Sequence, residues 1–222
     1  MTFTILGRCE ATGQLGVAVT TSDIAVGARV PFAQAGLGVA VTQHRTDPRL
    51  GPALLQALRA GASAAEAVER VARSTPHREW RQLAVLTAGG DRAAYSGAKL
   101  WPIGAECSGA DCLVVANMLA RDGVAPAMVA AFECARGELS DRLLGALRAG
   151  DDAGGETGAL RSAALLVVER ESFAYADLRV DDDPDPLTGL ERLWERYGSL
   201  ARQFVARALS PDDVQRSSST TT

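Results

Sequence analysis

The sequence predicts an α+β fold in which two antiparallel β-sheets stack face to face between two layers of helices. Three observations carry this prediction. Short segments of alternating apolar residues come in pairs joined by glycine-containing turns, as in hairpins. Segments with a 3.6-residue apolar rhythm come in blocks, rather than singly between strands as a parallel doubly wound sheet requires. The 222 residues suffice for one large core. No repeat, linker or composition shift divides them, so a single domain over residues 1–209 is expected.

In chain order, Phe3, Ile5 and Gly7 alternate with Thr4 and Leu6, and Leu15, Val17 and Val19 alternate with Gly16, Ala18 and Thr20, about a turn at residues 11–14. This is a first hairpin. A second strand pair is expected over 26–32 and 37–42, split by Gln34, Ala35 and Gly36. After Asp47-Pro48 the period changes. Leu54, Leu55 and Leu58 form one helical face, and Gly61 is placed to end that helix. Ser63 with Glu66 three residues on reads as a capping box for the next helix, with Ala64, Ala67, Val68 and Val71 as its apolar face.

Strands are expected again over 83–87, 92–95 and 113–115, with a turn at Gly89, Gly90 and Asp91. Val124, Met128, Val129 and Phe132 mark one further helix, and Leu139, Leu143, Leu144 and Leu147 another. Two strands follow, over 162–169 and 173–180. The final helix has the clearest rhythm, through Leu187, Leu190, Leu193, Trp194, Tyr197, Leu200, Ala201, Phe204 and Val205. Residues 210–222 end in Ser-Ser-Ser-Thr-Thr-Thr and read as a disordered tail.

Composition narrows the function. Apolar residues make up 47 % and charged residues 23 %, and the net charge is -4, an ordinary globular balance. Such a charge offers no basic field to a phosphate backbone, so a nucleic-acid partner is not expected. No apolar run approaches a membrane span, and the first residues lack the basic and apolar regions of a secretory signal. A cytoplasmic protein is expected. The four cysteines form no CxxC pair and the two histidines complete no zinc pattern, so reduced thiols, no metal and no cofactor are expected.

The most informative position is Thr2, at the head of the first strand. Removal of Met1 would give it a free α-amine beside its own hydroxyl. An α-amine titrates near about 7.7–8, so a fraction is neutral and able to take the hydroxyl proton. The strand begins at once, and the terminus is therefore expected to be fixed in the sheet.

The segments MTFTILGRC, LGVAVTTSDIAVGARVPFAQAGLGVAVTQ, DPRLGPALLQALRAG, ANMLA, SAALLVV and LRVDDDPDP resemble the family of unknown function numbered 1028. Its members are similar to N-terminal nucleophile (Ntn) hydrolases, a four-layer αββα sandwich of antiparallel sheets. The resemblance runs from Met1 to about Leu193 and implies a role for Thr2. As the first residue of the mature chain it attacks an amide carbonyl, and an oxyanion hole stabilises the intermediate on the way to an acyl-enzyme that water hydrolyses. Thr4 shares the face of Thr2 by strand alternation and is the fallback nucleophile if Met1 is retained.

The resemblance also implies supporting residues. Thr21 or Ser22 supplies a polar group near the nucleophile, and Ser22 is the expected catalytic partner; Asp23 stands where a lysine is expected. Asn117, in an Ala-Asn step where the family has Gly-Asn, is an oxyanion donor or substrate ligand, or else a helix cap. Gln43 ends a glycine-rich strand and points a carboxamide into the site. Arg81, paired with Gln82, clamps a substrate carboxylate or forms a structural ion pair. Glu156, which replaces the aspartate of a Gly-Gly-Asp loop, and Arg161, which replaces a glutamine, are expected substrate ligands. Asp181, in the acidic run 181–185, is a further substrate ligand; the same run would also suit a hard metal ion, a helix N-terminus or a pair with Arg179.

Three functions remain open on the sequence. The first is a bacterial-type, metal-independent amidohydrolase acting through Thr2 on a small non-peptide C–N bond. The second is a non-hydrolytic metabolite-binding or imine/enamine-processing protein on the same fold. The third is a metal-dependent hydrolase using Asp181, Asp182 and Asp183. A small-molecule substrate is expected, with a homodimer formed through Trp194, Tyr197 and Phe204 of the last helix.

Overall fold

Along the chain, the described residues, 2–212 of a computed structural model, form ten strands and five α-helices. They are β1 (Thr2–Cys9), β2 (Gln14–Thr21), β3 (Pro31–Gln34), β4 (Gly38–His44), α1 (Leu50–Arg59), α2 (Ala64–Ser74), β5 (Arg81–Thr87), β6 (Arg92–Ser96), β7 (Ala105–Ser108) and β8 (Cys112–Asn117). Then come α3 (Val124–Cys134), α4 (Leu139–Asp152), β9 (Ser162–Val168), β10 (Ala176–Val180) and α5 (Pro186–Leu209). The fold is mixed α/β. One sheet has six strands in the order β10-β9-β2-β1-β8-β7, and the other four in the order β3-β4-β5-β6. Every named pairing is antiparallel.

Side-chain parity builds the layers. Phe3 and Ile5 of β1 point to one face of the larger sheet, where Met128, Phe132, Leu143, Leu147, Leu187 and Trp194 pack on them from α3, α4 and α5. Leu6 points to the other face and meets Val17, Val19, Val39, Val41, Ala84, Leu86 and Val115 between the sheets. The outer face of the smaller sheet, with Ala40, Leu83 and Val85, is covered by Leu54, Leu58, Val68 and Val71 of α1 and α2. Burial of these large side chains, about 1.5–3 kcal/mol each, holds the layers together. Gly51 shows how close the packing is: a Cβ there would lie 2.0 Å from the Phe32 ring.

Local signals act as expected at several ends. Ser63 Oγ accepts from the Glu66 N–H at 3.3 Å, and the Ser63 N–H donates to Glu66 Oε2 at 2.8 Å, completing the capping box. Asp185 caps α5 by accepting from the Thr188 N–H, and Pro186 follows in the first turn.

Some strand bounds differ from those expected. Of the expected strand 26–32 only Pro31 and Phe32 are in one: Ala25 takes a left-handed conformation (φ 53°) and leads a single 3-10 turn, Val26–Ala28, so pairing begins only at Pro31. β7 lies in a segment where no strand is predicted, and β10 starts at Ala176, leaving exposed Phe173 in the preceding loop. Trp194 and Tyr197 are used within the chain, by a Trp194 Nε1–H bond to Asp141 at 2.6 Å and a Tyr197 O–H bond to the Tyr175 carbonyl at 3.2 Å. Phe204 packs on Tyr197, with ring centroids 5.2 Å apart. Of the predicted tail, residues 213–222 lie outside the described residues. Among the described residues no helix is long and apolar enough to cross a membrane.

Candidate active site

β1 lies between β2 and β8, so the head of β1 meets the end of each neighbour. Thr2 pairs with Asn117, and the register Phe3↔Thr20 brings Thr2 beside Thr21. The parity that sends Leu6 between the sheets sends Thr2 and Thr4 there too. The same rule turns Thr21 inward with Val17 and Val19, Asn117 with Leu113 and Val115, Gln43 with Val39 and Val41, and Gln82 with Ala84 and Leu86. The apolar inter-sheet core therefore ends in a buried polar layer made of Thr2, Thr4, Thr21, Gln43, Gln82 and Asn117.

The hydrogen bonds of this layer converge on Gln82 Oε1. Gln43 Nε2 donates to the Val115 carbonyl at 3.2 Å and to Gln82 Oε1 at 2.7 Å, leaving Gln43 Oε1 to accept from Thr4 Oγ1 at 2.6 Å. Gln82 Nε2 donates to the Ala116 carbonyl and to Ser96 Oγ, both at 3.0 Å. Gln82 Oε1 is thus an acceptor, and Asn117 Nδ2 donates to it at 3.0 Å. Two backbone carbonyls fix the orientation of all three amides. Asn117 Oδ1 is left as a buried acceptor with no hydrogen-bond partner among the described residues. An acceptor in that state costs about 1–3 kcal/mol until a ligand or water donates to it. It suits an N–H or an ammonium. The oxyanion donor that the sequence suggests would be the other amide atom, Nδ2, which also donates to Gln82 Oε1.

Thr2 Oγ1 lies 3.2 Å from Thr21 Oγ1. Thr21, and not Ser22, therefore presents its hydroxyl to Thr2. Ser22 contributes its backbone N–H, which is shared between Glu156 Oε1 at 3.1 Å and Oε2 at 3.2 Å. Glu156 reaches this end of the sheet because its loop forms an isolated bridge with Leu119, just beyond Asn117. It is buried, and burial pushes its carboxyl up to about 7 against the lowering pull of the chain's amino terminus and of the Ser22 N–H.

The remaining predicted ligands are not brought to Thr2. Arg81 faces away from the inter-sheet layer; its guanidinium donates to the Arg45 carbonyl and lies 3.9 Å from Asp47, so it serves as a structural pair. Arg161 sits at the rim, its N–H donating to the Thr21 carbonyl at 2.8 Å, but its side chain is paired with Asp182. Asp181 follows β10, which β9 and β2 separate from β1, and its carboxylate is taken by Arg179 at 2.9 Å. Asp183 Oδ1 accepts from the Asp185 N–H, so the acidic run serves ion pairs and the approach to α5. Among the described residues no three His, Cys, Asp or Glu side chains are grouped to hold a metal ion.

Sequence reasoning missed three features of this end of the molecule. Gln82 is the hub of the amide network, and its only sequence signal is a polar residue opening an apolar strand. Ser162, opposite Thr21, accepts from the Val26 N–H at 3.1 Å and donates to the Asp23 carbonyl at 2.7 Å, tying the loop after β2 to β9. His44 leaves β4 with φ 68° and stacks on Trp80 beside Trp101.

Residues 2–190 match the model of a family described as "Family of unknown function (DUF1028)". The crystal structure of a protein assigned to the same family model, from Silicibacter pomeroyi, is similar to the chain with 32% sequence identity and a TM-score of 0.85, covering 91% of this chain and 90% of that one. Anbu (ancestral beta-subunit) from Yersinia bercovieri aligns at 10% identity and a TM-score of 0.44, over 91% of this chain and 96% of that one. Comparison with curated proteins finds no match. With the family model spanning most of its length, the chain belongs to the DUF1028 family.

Proposed function

We propose that this chain is a metal-independent amidohydrolase of the Ntn type, in which Thr2, unmasked by removal of Met1, attacks the carbonyl of a small non-peptide amide. The observation that carries this reading is the setting of Thr2. A threonine heads a central strand, its hydroxyl 3.2 Å from a second hydroxyl, beside a buried and oriented carboxamide with an unused acceptor. Two antiparallel sheets stacked between helices agree with the four-layer αββα architecture of Ntn hydrolases.

The chemistry is self-contained. The neutral α-amine of Thr2 takes the proton of its own hydroxyl as Oγ1 bonds to the carbonyl carbon. The C–N bond breaks, the departing amine carries the proton away, and an ester on Thr2 remains. Water, deprotonated by the same amine, cleaves that ester, giving the carboxylic acid and restoring the hydroxyl. In this scheme Asn117 Oδ1 accepts from the Thr2 amine or from the scissile amide N–H. Glu156, titrating near neutrality, shares the proton of the α-ammonium and holds the amine in place. Thr21 orients the nucleophilic hydroxyl. Thr4 has no adjacent amine, and its hydroxyl donates to the non-basic amide oxygen of Gln43, so it is assigned a structural part in this scheme.

The test is Thr2→Ala, which still permits removal of Met1. Incubated with a panel of small amides and followed by mass spectrometry, the variant is expected to fold as the wild type and to lose turnover by at least about 10³-fold. Undiminished hydrolysis would refute the reading.

A further inference from the structure

Beside the Thr2 end of the sheets stands an aromatic and cationic wall that the proposed chemistry does not use. His44 Nδ1 lies 3.0 Å from the Trp80 carbonyl, which can only accept, and His44 Nε2 lies 3.4 Å from the Trp101 N–H, which can only donate. His44 is therefore the neutral tautomer protonated at Nδ1, pinning Trp80 to the loop that carries Trp101. Its ring stacks on Trp80 (centroids 6.1 Å apart, 11° between planes) and meets Trp101 edge-on at 5.6 Å. Over these rings lie two cations: the Arg45 guanidinium, 4.7 Å from the Trp101 centroid and 5.9 Å from that of Trp80, and Lys99 Nζ, 5.5 Å from Trp80.

Three facts point to a ligand. Arg45 and Lys99 are exposed, and neither forms an ion pair among the described residues. The chain holds one lysine and three tryptophans, and the lysine and two of the tryptophans meet here, with Trp101 42% exposed. The wall also adjoins the site on both sides. His44 follows Gln43, which holds the Thr4 hydroxyl, and the Trp101 carbonyl accepts from the N–H of Met118, the residue after Asn117.

We propose that this wall recognises the carboxylate of the substrate, making the substrate class an N-acyl amino acid: the amide lies at Thr2, and the carboxylate is gripped by Arg45 and Lys99 against the face of Trp101. A guanidinium stacked on an indole still offers its N–H edge to a carboxylate, and the stacking reduces the ordering needed to do so. The inference rests on the Thr2 reading for the position of the amide, but the grip itself does not depend on Thr2 as nucleophile.

The test uses N-benzoylglycine and its neutral counterpart N-benzoylglycinamide, titrated against tryptophan fluorescence, with wild type, Thr2→Ala and the double variant Arg45→Gln/Lys99→Met. Both cations are exposed, and near-UV circular dichroism checks that the double variant keeps its fold. The expected result is saturable binding of the acid by wild type and Thr2→Ala, at least tenfold tighter than the amide and weakened at least tenfold in the double variant. Equal affinity for acid and amide, no saturable response to the acid, or undiminished binding by the double variant would overturn the proposal. Acid-selective binding without any hydrolysis would retain this inference and reject the Thr2 chemistry. Thr2-dependent hydrolysis of amides without acid selectivity would do the reverse.

Discussion

Thr4 Oγ1 donates to Gln43 Oε1 at 2.6 Å, a buried side-chain bond that joins β1 of one sheet to β4 of the other. Replacing Thr4 by valine keeps the shape and strands the Gln43 oxygen without a donor. The expected cost is about 1–3 kcal/mol of stability, read from urea unfolding. Turnover per folded molecule is expected to stay within a few-fold of wild type, since Thr4 shapes the layer but does not react. Loss of all turnover in a folded Thr4→Val variant would instead make Thr4 the nucleophile.

Asn117→Leu is expected to behave in the opposite way. It removes an acceptor that has no partner, while Gln82 Oε1 keeps its bond from Gln43. Stability should change little, because relief of the unpaired Oδ1 offsets the lost bond from Nδ2 to Gln82 Oε1. Turnover should fall about 100-fold, because the amine of Thr2 or the scissile N–H loses its acceptor. Urea unfolding and steady-state rates together separate this variant from Thr4→Val.

Glu156 makes stability depend on pH. Its carboxyl titrates near 4.5 in the unfolded chain and near 7 when folded. Between these values the folded state holds the proton that the unfolded state releases, so stability falls as pH rises from about 4.5 to about 7 and levels off above. Glu156→Gln is expected to remove this slope and to exceed the wild type above neutrality by roughly 1–3 kcal/mol. Its rate profile should also lose an apparent pKa near 7. Thermal melts and initial rates across pH 5–9 check both.

Gly97 is where the segment carrying Trp80 lies against the loop carrying Lys99 and Trp101. A Cβ at this position would come within 2.4 Å of the carbonyl oxygens of Arg78 and Glu79, and backbone there cannot yield cheaply. Gly97→Ala is expected to cost about 1–3 kcal/mol through overpacking. It should also blunt the preference for N-benzoylglycine over its amide, as read by the fluorescence titration.

The layered fold was largely legible in the sequence because periodicity is local. The first hairpin, the Ser63–Glu66 capping box and the rhythm of α5 all depend on neighbours within a few positions. The misread segment, 26–30, has the composition of a strand, but one left-handed residue, Ala25, diverts it into a turn, and alanine gives no warning of that. The site was legible only in part. Thr21 could have been chosen over Ser22 from parity, since Leu15, Val17 and Val19 already mark the inward face of β2. The face of Arg81 could not, because Leu83, Ala84, Val85 and Leu86 are buried on both sides of the sheet and show no alternation. The network from Thr4 through Gln43 and Gln82 to Asn117 spans separations of 39 and 35 residues, and only the stacking of the sheets brings it together.

The central claim is that the mature, active chain begins at Thr2. Intact-mass spectrometry of the active protein, before and after reaction with an electrophilic lactone, tests it most directly. The account predicts a chain one methionine lighter than the full sequence, gaining a single adduct that peptide mapping places on Thr2. Active protein that keeps Met1, or an adduct that forms elsewhere while Thr2 stays unmodified, would contradict it.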